Sequence, residues 1–176
     1  KGKTTSLLAL TFSNRMTLGD AVTVRYEADF TKFRTYYTSS STRGAPNLDG
    51  SATWELVESA MGLDAGTAET PAWGITPPIA LPRGIYKVGY TASVYPSANY
   101  YSAHFGANMG DMPSPGRMDV VLVDTLLETL GQPQTELYMP HFESYVRIDQ
   151  PSEKYFGFWF EKYGRSYSVG LRDVTI

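Results

Sequence analysis

The chain has 176 residues, of which 42% are hydrophobic, and a formal net charge of −3 with the two signs mixed along its length. That size fits one domain with a sizeable core and excludes a disordered polymer; no basic block invites nucleic acid, and no run of about 18 apolar residues could span a membrane as a helix. Cysteine is absent, which excludes disulfides, thiol catalysis and cysteine-based zinc sites together.

The aromatic load is 13 Tyr, 8 Phe and 3 Trp, and 16 Gly and 11 Pro supply turns. Tyr, Phe, Val and Thr fit a pleated, half-buried surface, so the composition predicts an all-β domain of extracellular type. The chain opens on Lys1, as expected of a mature fragment whose targeting signal has gone.

In chain order, "TSLLALTF" (Thr5–Phe12) reads as a buried strand. Residues 1–20 are an extra N-terminal strand or the remnant of an upstream module, within a single β-sandwich domain over 1–176. "AVTVRYEADF" alternates, with Val22, Val24, Tyr26 and Ala28 on one face. "TYYTSSSTRGAPNLDGS" has the Ser, Thr, Gly and Pro content of a long loop. "TWELVE" is a short strand, and "SAMGLDAGTAETPAW" reads as another loop. "GIYKVGYTASVY" is the clearest strand, with Tyr86, Val88, Tyr90, Ala92 and Val94 on one face. "NYYSAHFGAN" and "GRMDVVLVD" are two more, and "TLLETLGQP" reads as a short helix or turn with a Gly-Gln-Pro stop. "ELYMPHFESYVRI" is a strand interrupted by Pro140, which places it at an edge or bulge. "KYFGFWFEKYG" and "SYSVGLRDVTI" close the chain, with "EKYGRS" between them as a hairpin-turn signal. Many short strands at regular spacing with almost no helix make a β-sandwich of two antiparallel sheets.

Motifs that carry chemistry are missing: no G-x-S-x-G elbow, no H-E-x-x-H and no phosphate-binding glycine loop occurs. His104 and His141 sit in alternating segments, where a structural or surface role is the simpler one. The nearest carboxylate pairs, Glu27/Asp29 and Glu55/Glu58, fit solvated strand positions as well as a glycosidase pair. "NLDGS" offers Asn47, Asp49 and a turn glycine to a hard cation, and Asp173 adds a carboxylate near the C-terminus. Tyr36, Tyr37, Tyr95, Tyr100 and Tyr101 lie in or beside loops, where aromatic planes stack on sugar rings. In "YFGFWF", Phe156, Phe158 and Phe160 share the core face, which turns Trp159 outward, unusual unless it is covered or used for binding.

Three stretches, "LDGSATW", "WGITPPIALPRGIYKVGYTASVY" and "KYFGFWFEKYGRSYSVGLRDVTI", resemble the cleaved-adhesin and choice-of-anchor domains of bacterial surface proteins in order and spacing. The matching positions are Asp49-Gly50…Trp54, Trp73…Thr76-Pro77-Pro78-Ile79, Gly84-Ile85-Tyr86 and Arg172-Asp173-Val174-Thr175-Ile176, over most of Asp29–Ile176. The resemblance implies a jelly roll, related in shape to galactose-binding and carbohydrate-binding modules, in an exported, extracellular or cell-surface bacterial protein. It implies an adhesive or accessory role rather than catalysis, with a glycan, a host surface protein or neighbouring domains of the parent chain as partners. It also implies structural calcium at Asp29, Asp49 and Asp173, although the family's acidic loop is reduced here to "NLDGS" and its paired Asp is Arg172-Asp173. The functions so drawn are a non-catalytic adhesion or carbohydrate-binding module, with ligand held by Tyr36, Tyr37, Tyr95, Tyr100, Tyr101 and Trp159; a structural spacer; and, third, a hydrolase.

Overall fold

The computed structural model describes residues 26–36, 54–63, 68–95, 102–128, 137–162 and 167–176. The strand expected at Thr5–Phe12, the question of residues 1–20, most of the long loop, Tyr37, Asp49, Tyr100 and Tyr101 lie outside these residues. The elements are β1 (Arg34–Tyr36), β2 (Trp54–Val57), β3 (Ala60–Leu63), β4 (Ala68–Ile75), β5 (Ile79–Leu81), β6 (Gly84–Tyr95), β7 (Ser102–Gly110), β8 (Val120–Glu128), β9 (His141–Ile148), β10 (Ser152–Lys162) and β11 (Ser168–Thr175), with single 3-10 turns at Phe30–Lys32 and Pro115–Arg117.

Two antiparallel sheets face each other. The front sheet has the order β1-β4-β10-β7-β8, with β5 also paired to β10; the back sheet has the order β2-β3-β11-β6-β9. The period-two pattern explains which side of each strand is buried. Phe156, Phe158 and Phe160 of β10 are fully buried and meet Val88, Tyr90, Ala92 and Val94 of β6 in one core cluster. Tyr90 sits at its centre, with ring centroids 5.3 Å from Phe158 and 5.8 Å from Phe142. Its hydroxyl is shared with Ser144 Oγ at 2.8 Å, and burial pushes its pKa up.

The Trp-Gly…Pro-Pro stretch is an interrupted strand. β4 pairs with Gly157–Lys162 of β10 and β5 with Ser152–Lys154, so both run along one side of β10. Pro77 and Pro78 have no N–H to give a ladder. Thr76 bridges the break twice: its N–H donates to Phe156 O at 2.9 Å, and its Oγ1 accepts from Phe156 N–H at 3.0 Å. Ile75, Ile79 and Leu81 anchor the stretch in buried positions.

Four local expectations are corrected. "SAMGLDAGTAETPAW" contains β3 and most of β4 rather than one loop: Met61 and Leu63 of β3 are buried, and the small Ala68 and Ala72 fill the inward face of β4, where composition alone reads turn. "TLLE" continues β8 instead of starting a helix, with Leu127 buried and Leu126 exposed in strict alternation. β10 and β11 do not pair as a hairpin; they belong to different sheets. Tyr36 ends β1 rather than lying in a loop. β9 begins after Pro140 and forms the edge of the back sheet, as the proline indicated.

Candidate functional site

The pairing register lines up one row of residues across the whole front sheet. Tyr36 of β1 faces Trp73 of β4, Trp73 faces Trp159 of β10, Trp159 faces Gly106 of β7, and Gly106 faces Asp124 of β8. The alternation that buries Phe158 and Phe160 turns this row to the outer face. There Tyr36, Trp73, Ile75 and Met118 form a second apolar cluster, with Tyr155 and Trp159 packed against it.

The two ends of the row differ. Tyr36 and Trp73 are covered by the segment after β7. The Tyr36 hydroxyl donates to Pro113 O at 2.7 Å, Asn108 Nδ2 donates to Met118 O at 3.0 Å, and Asp111 pairs with Lys154. Trp159 is half-buried at the other end. Its indole rests on Gly106, where no side chain intervenes, and its ring centroid lies 6.0 Å from Trp73 and 5.1 Å from His104. Its Nε1 donates to Asn108 Oδ1 at 3.1 Å, which fixes the ring in the plane of the sheet face.

Polar groups surround the exposed end. His104 Nε2 lies 2.5 Å from Asp124 Oδ1, and its Nδ1 lies 4.0 Å from Glu161 Oε2. The imidazole thus fills the space between the two carboxylates, where a glycosidase needs room for water or for the scissile bond. Leu126, 49% exposed, pairs with His104 and gives the patch an apolar border.

Among the described residues, Tyr95 does not share the Trp159 face. Tyr95 ends β6 on the outer face of the back sheet, across the sandwich from Trp159. It lines an open groove of about 400 Å³ together with Glu55, Val57, Gly62 and Ser168.

For the cation expectation, Asp29 caps the 3-10 turn at Phe30, its Oδ1 accepting from Thr31 N–H at 3.0 Å and from the Thr31 hydroxyl. Those bonds, the hydroxyl first, hold its carboxyl below the usual range. Residues 26–28 pair with the chain end, Ala28 N–H donating to Val174 O at 3.1 Å, so Asp29 comes next to the segment holding Asp173. Asp173 is exposed and has a φ of 54°. No group of three or more His, Asp or Glu gathers as a metal set among the described residues. Calcium takes six to eight oxygens, so these two carboxylates do not supply a site by themselves.

Sequence reasoning passed over Gly106, Asn108, Asp124 and Glu161, and read His104 as a structural or surface residue. A signal for part of the set exists: in "HFGAN", His104, Gly106 and Asn108 recur at a period of two and so share one face.

No family model and no curated sequence matches the chain. Solved structures do. The K1 cleaved adhesin domain of Lys-gingipain from Porphyromonas gingivalis W83 superposes with a TM-score of 0.60 at 13% identity, over 87% of this chain and 97% of that one. The K3 domain of the same protein gives 0.52 at 14% identity, over 85% and 97%, and the K2 domain 0.52 at 9%, over 86% and 97%. At these identities the likeness is one of fold, and the fold is the one the sequence motifs indicated: an all-β jelly-roll sandwich similar to the cleaved adhesin domains.

Proposed function

We propose that the chain is a non-catalytic adhesion module of a surface or secreted bacterial protein that binds carbohydrate on the outer face of its front sheet. The observation that carries this reading is the seating of Trp159 on Gly106 beside His104 and Asp124. A pyranose ring has an apolar face that packs on an indole, and its hydroxyls need acceptors and donors at the border of that contact. Trp159 supplies the plane; Asp124 and His104 supply the polar border. The ring is held in advance by Asn108 and Gly106, so little freedom is lost on binding.

A glycan array probed with the 176-residue chain and with Trp159→Ala tests the reading. Selective binding that Trp159→Ala abolishes, with the fold intact by circular dichroism, supports it. Binding to no glycan leaves the spacer reading, which the covered aromatics Tyr36 and Trp73 favour.

Calcium enters only as a structural ion drawing on Asp29 and Asp173, with Asp49 needed to complete the set. Melting with calcium and with chelator tests it: a calcium-dependent rise supports the ion, and identical curves remove it.

A further inference from the structure

We infer that the outer face of the back sheet carries a second, independent carbohydrate site: a trough beside Tyr95 with Gly62 in its floor, which extends under the Tyr95 ring edge to the buried Gly170 and to the unpartnered hydroxyl of Ser93. The register sets its course. Glu55 faces Gly62, Gly62 faces Gly170 and Gly170 faces Ser93, so one row crosses β2, β3, β11 and β6 with two glycines at its centre. Three strand spacings make the row about 14 Å long. Tyr95 and Ser168 line one side, and Val57, 52% exposed, lines the other.

Glycines alone would be only a gap in the surface. Ser93 gives the gap a chemistry. It is 1% exposed, and its Oγ has no hydrogen-bond partner among the described residues. A Cβ on Gly170 would lie 2.9 Å from this Oγ and 3.5 Å from Tyr95 Cε2, which places the hydroxyl in the floor with the Tyr95 ring edge standing over it. Tyr95 is 38% exposed, and its ring must turn outward for a ligand to reach the hydroxyl. A buried hydroxyl without a partner is unfavourable, so a ligand that supplies one gains by entering.

The ligand class follows from the walls. Tyr95 and Val57 offer apolar contact, Ser168 offers a hydroxyl and Glu55 accepts hydrogen bonds, with the Ser93 hydroxyl beneath the Tyr95 ring edge, a mixture suited to a polyhydroxylated ring. The trough crosses the strands instead of following an edge, so it offers no backbone ladder to an extended peptide. The site shares a ligand class with the Trp159 face but none of its residues. Because the two lie on opposite outer faces, one copy bridges two glycan chains.

The test is a titration of the ¹⁵N-labelled chain with xylo-, cello-, laminari- and manno-oligosaccharides, and with a casein digest as the peptide probe. The amides of Gly62, Ser93 and Gly170 report on the trough; Gly106 and the Trp159 indole report on the front face. A sugar is expected to move the trough set, and Gly62→Val to silence that set alone. A Cβ at Gly62 meets only Val169 O at 3.6 Å, so the variant retains its fold. Ser93→Ala should weaken trough binding about tenfold with no loss of melting temperature, because no existing bond is removed; a merely structural serine would do neither. The inference is overturned if no sugar moves the trough set, if Gly62→Val leaves the movement intact, or if only the casein digest produces it. Movement of the trough set with a silent front face sinks the Trp159 reading and keeps this one; the reverse sinks this one alone.

Discussion

Trp159 lies across the backbone of Gly106: a Cβ placed on that glycine would meet Trp159 Cε2 at 2.0 Å and Nε1 at 2.1 Å. One residue's lack of a side chain therefore sets another's orientation, from the neighbouring strand. Gly106→Ala should force the indole off the sheet and loosen its bond to Asn108. Overpacking of this kind costs about 1–3 kcal/mol. A fall in melting temperature with a changed tryptophan emission is the expected result; Gly62→Ala, which meets no close atom, should leave stability within about 0.5 kcal/mol of the parent.

Thr76 replaces the ladder bonds that Pro77 and Pro78 cannot make. Thr76→Val keeps the shape and removes the oxygen that accepts from Phe156 N–H in a buried position. Leaving that donor unpaired should cost about 1–3 kcal/mol, read from denaturant midpoints at constant slope. Thr76→Ser, which retains the oxygen, should recover most of it.

Alkaline stability should depend on Tyr26. Burial, aided by the Asp29 charge, pushes its pKa from 10.0 up to about 12. A folded-state pKa above the unfolded value means that the contribution is fully present below pH 10 and lost as pH rises toward about 12. Tyr26→Phe cannot ionise, so its melting temperature should fall less over that window. Parallel curves for the two proteins would contradict this.

The acid side has the opposite sign. Thr31 holds the Asp29 carboxyl below its ordinary value, so its contribution is present above that value and disappears as pH falls through the lowered folded value. Asp29→Ala should be less stable than the parent at neutral pH, and the two melting curves should converge in acid. A gap that persists unchanged in acid would assign the loss to something other than the charged cap.

Period-two patterning made β6 and β10 legible, together with the outward turn of Trp159, because each buries a continuous apolar face. β3 and β4 were hidden because β3 is only four residues long and β4 carries Ala, Gly, Thr and Pro among its residues, which local composition reads as turn. "EKYGRS" reads in sequence as a hairpin turn, but whether the next strand stays in the same sheet depends on partners far along the chain; β11 joins the back sheet. The same limit applies to the sites. Trp159 could be read as outward, but its seat on Gly106 and its distance from Tyr95 arise from strand order. The row of Glu55, Gly62, Gly170 and Ser93 exists only through register.

The most direct test of the central claim is a set of intermolecular nuclear Overhauser contacts between the protein and an oligosaccharide selected by the array. The account predicts contacts from sugar ring protons to the Trp159 indole and the His104 imidazole, and none to the covered Trp73. A glycan that binds the folded chain without touching Trp159 would contradict it.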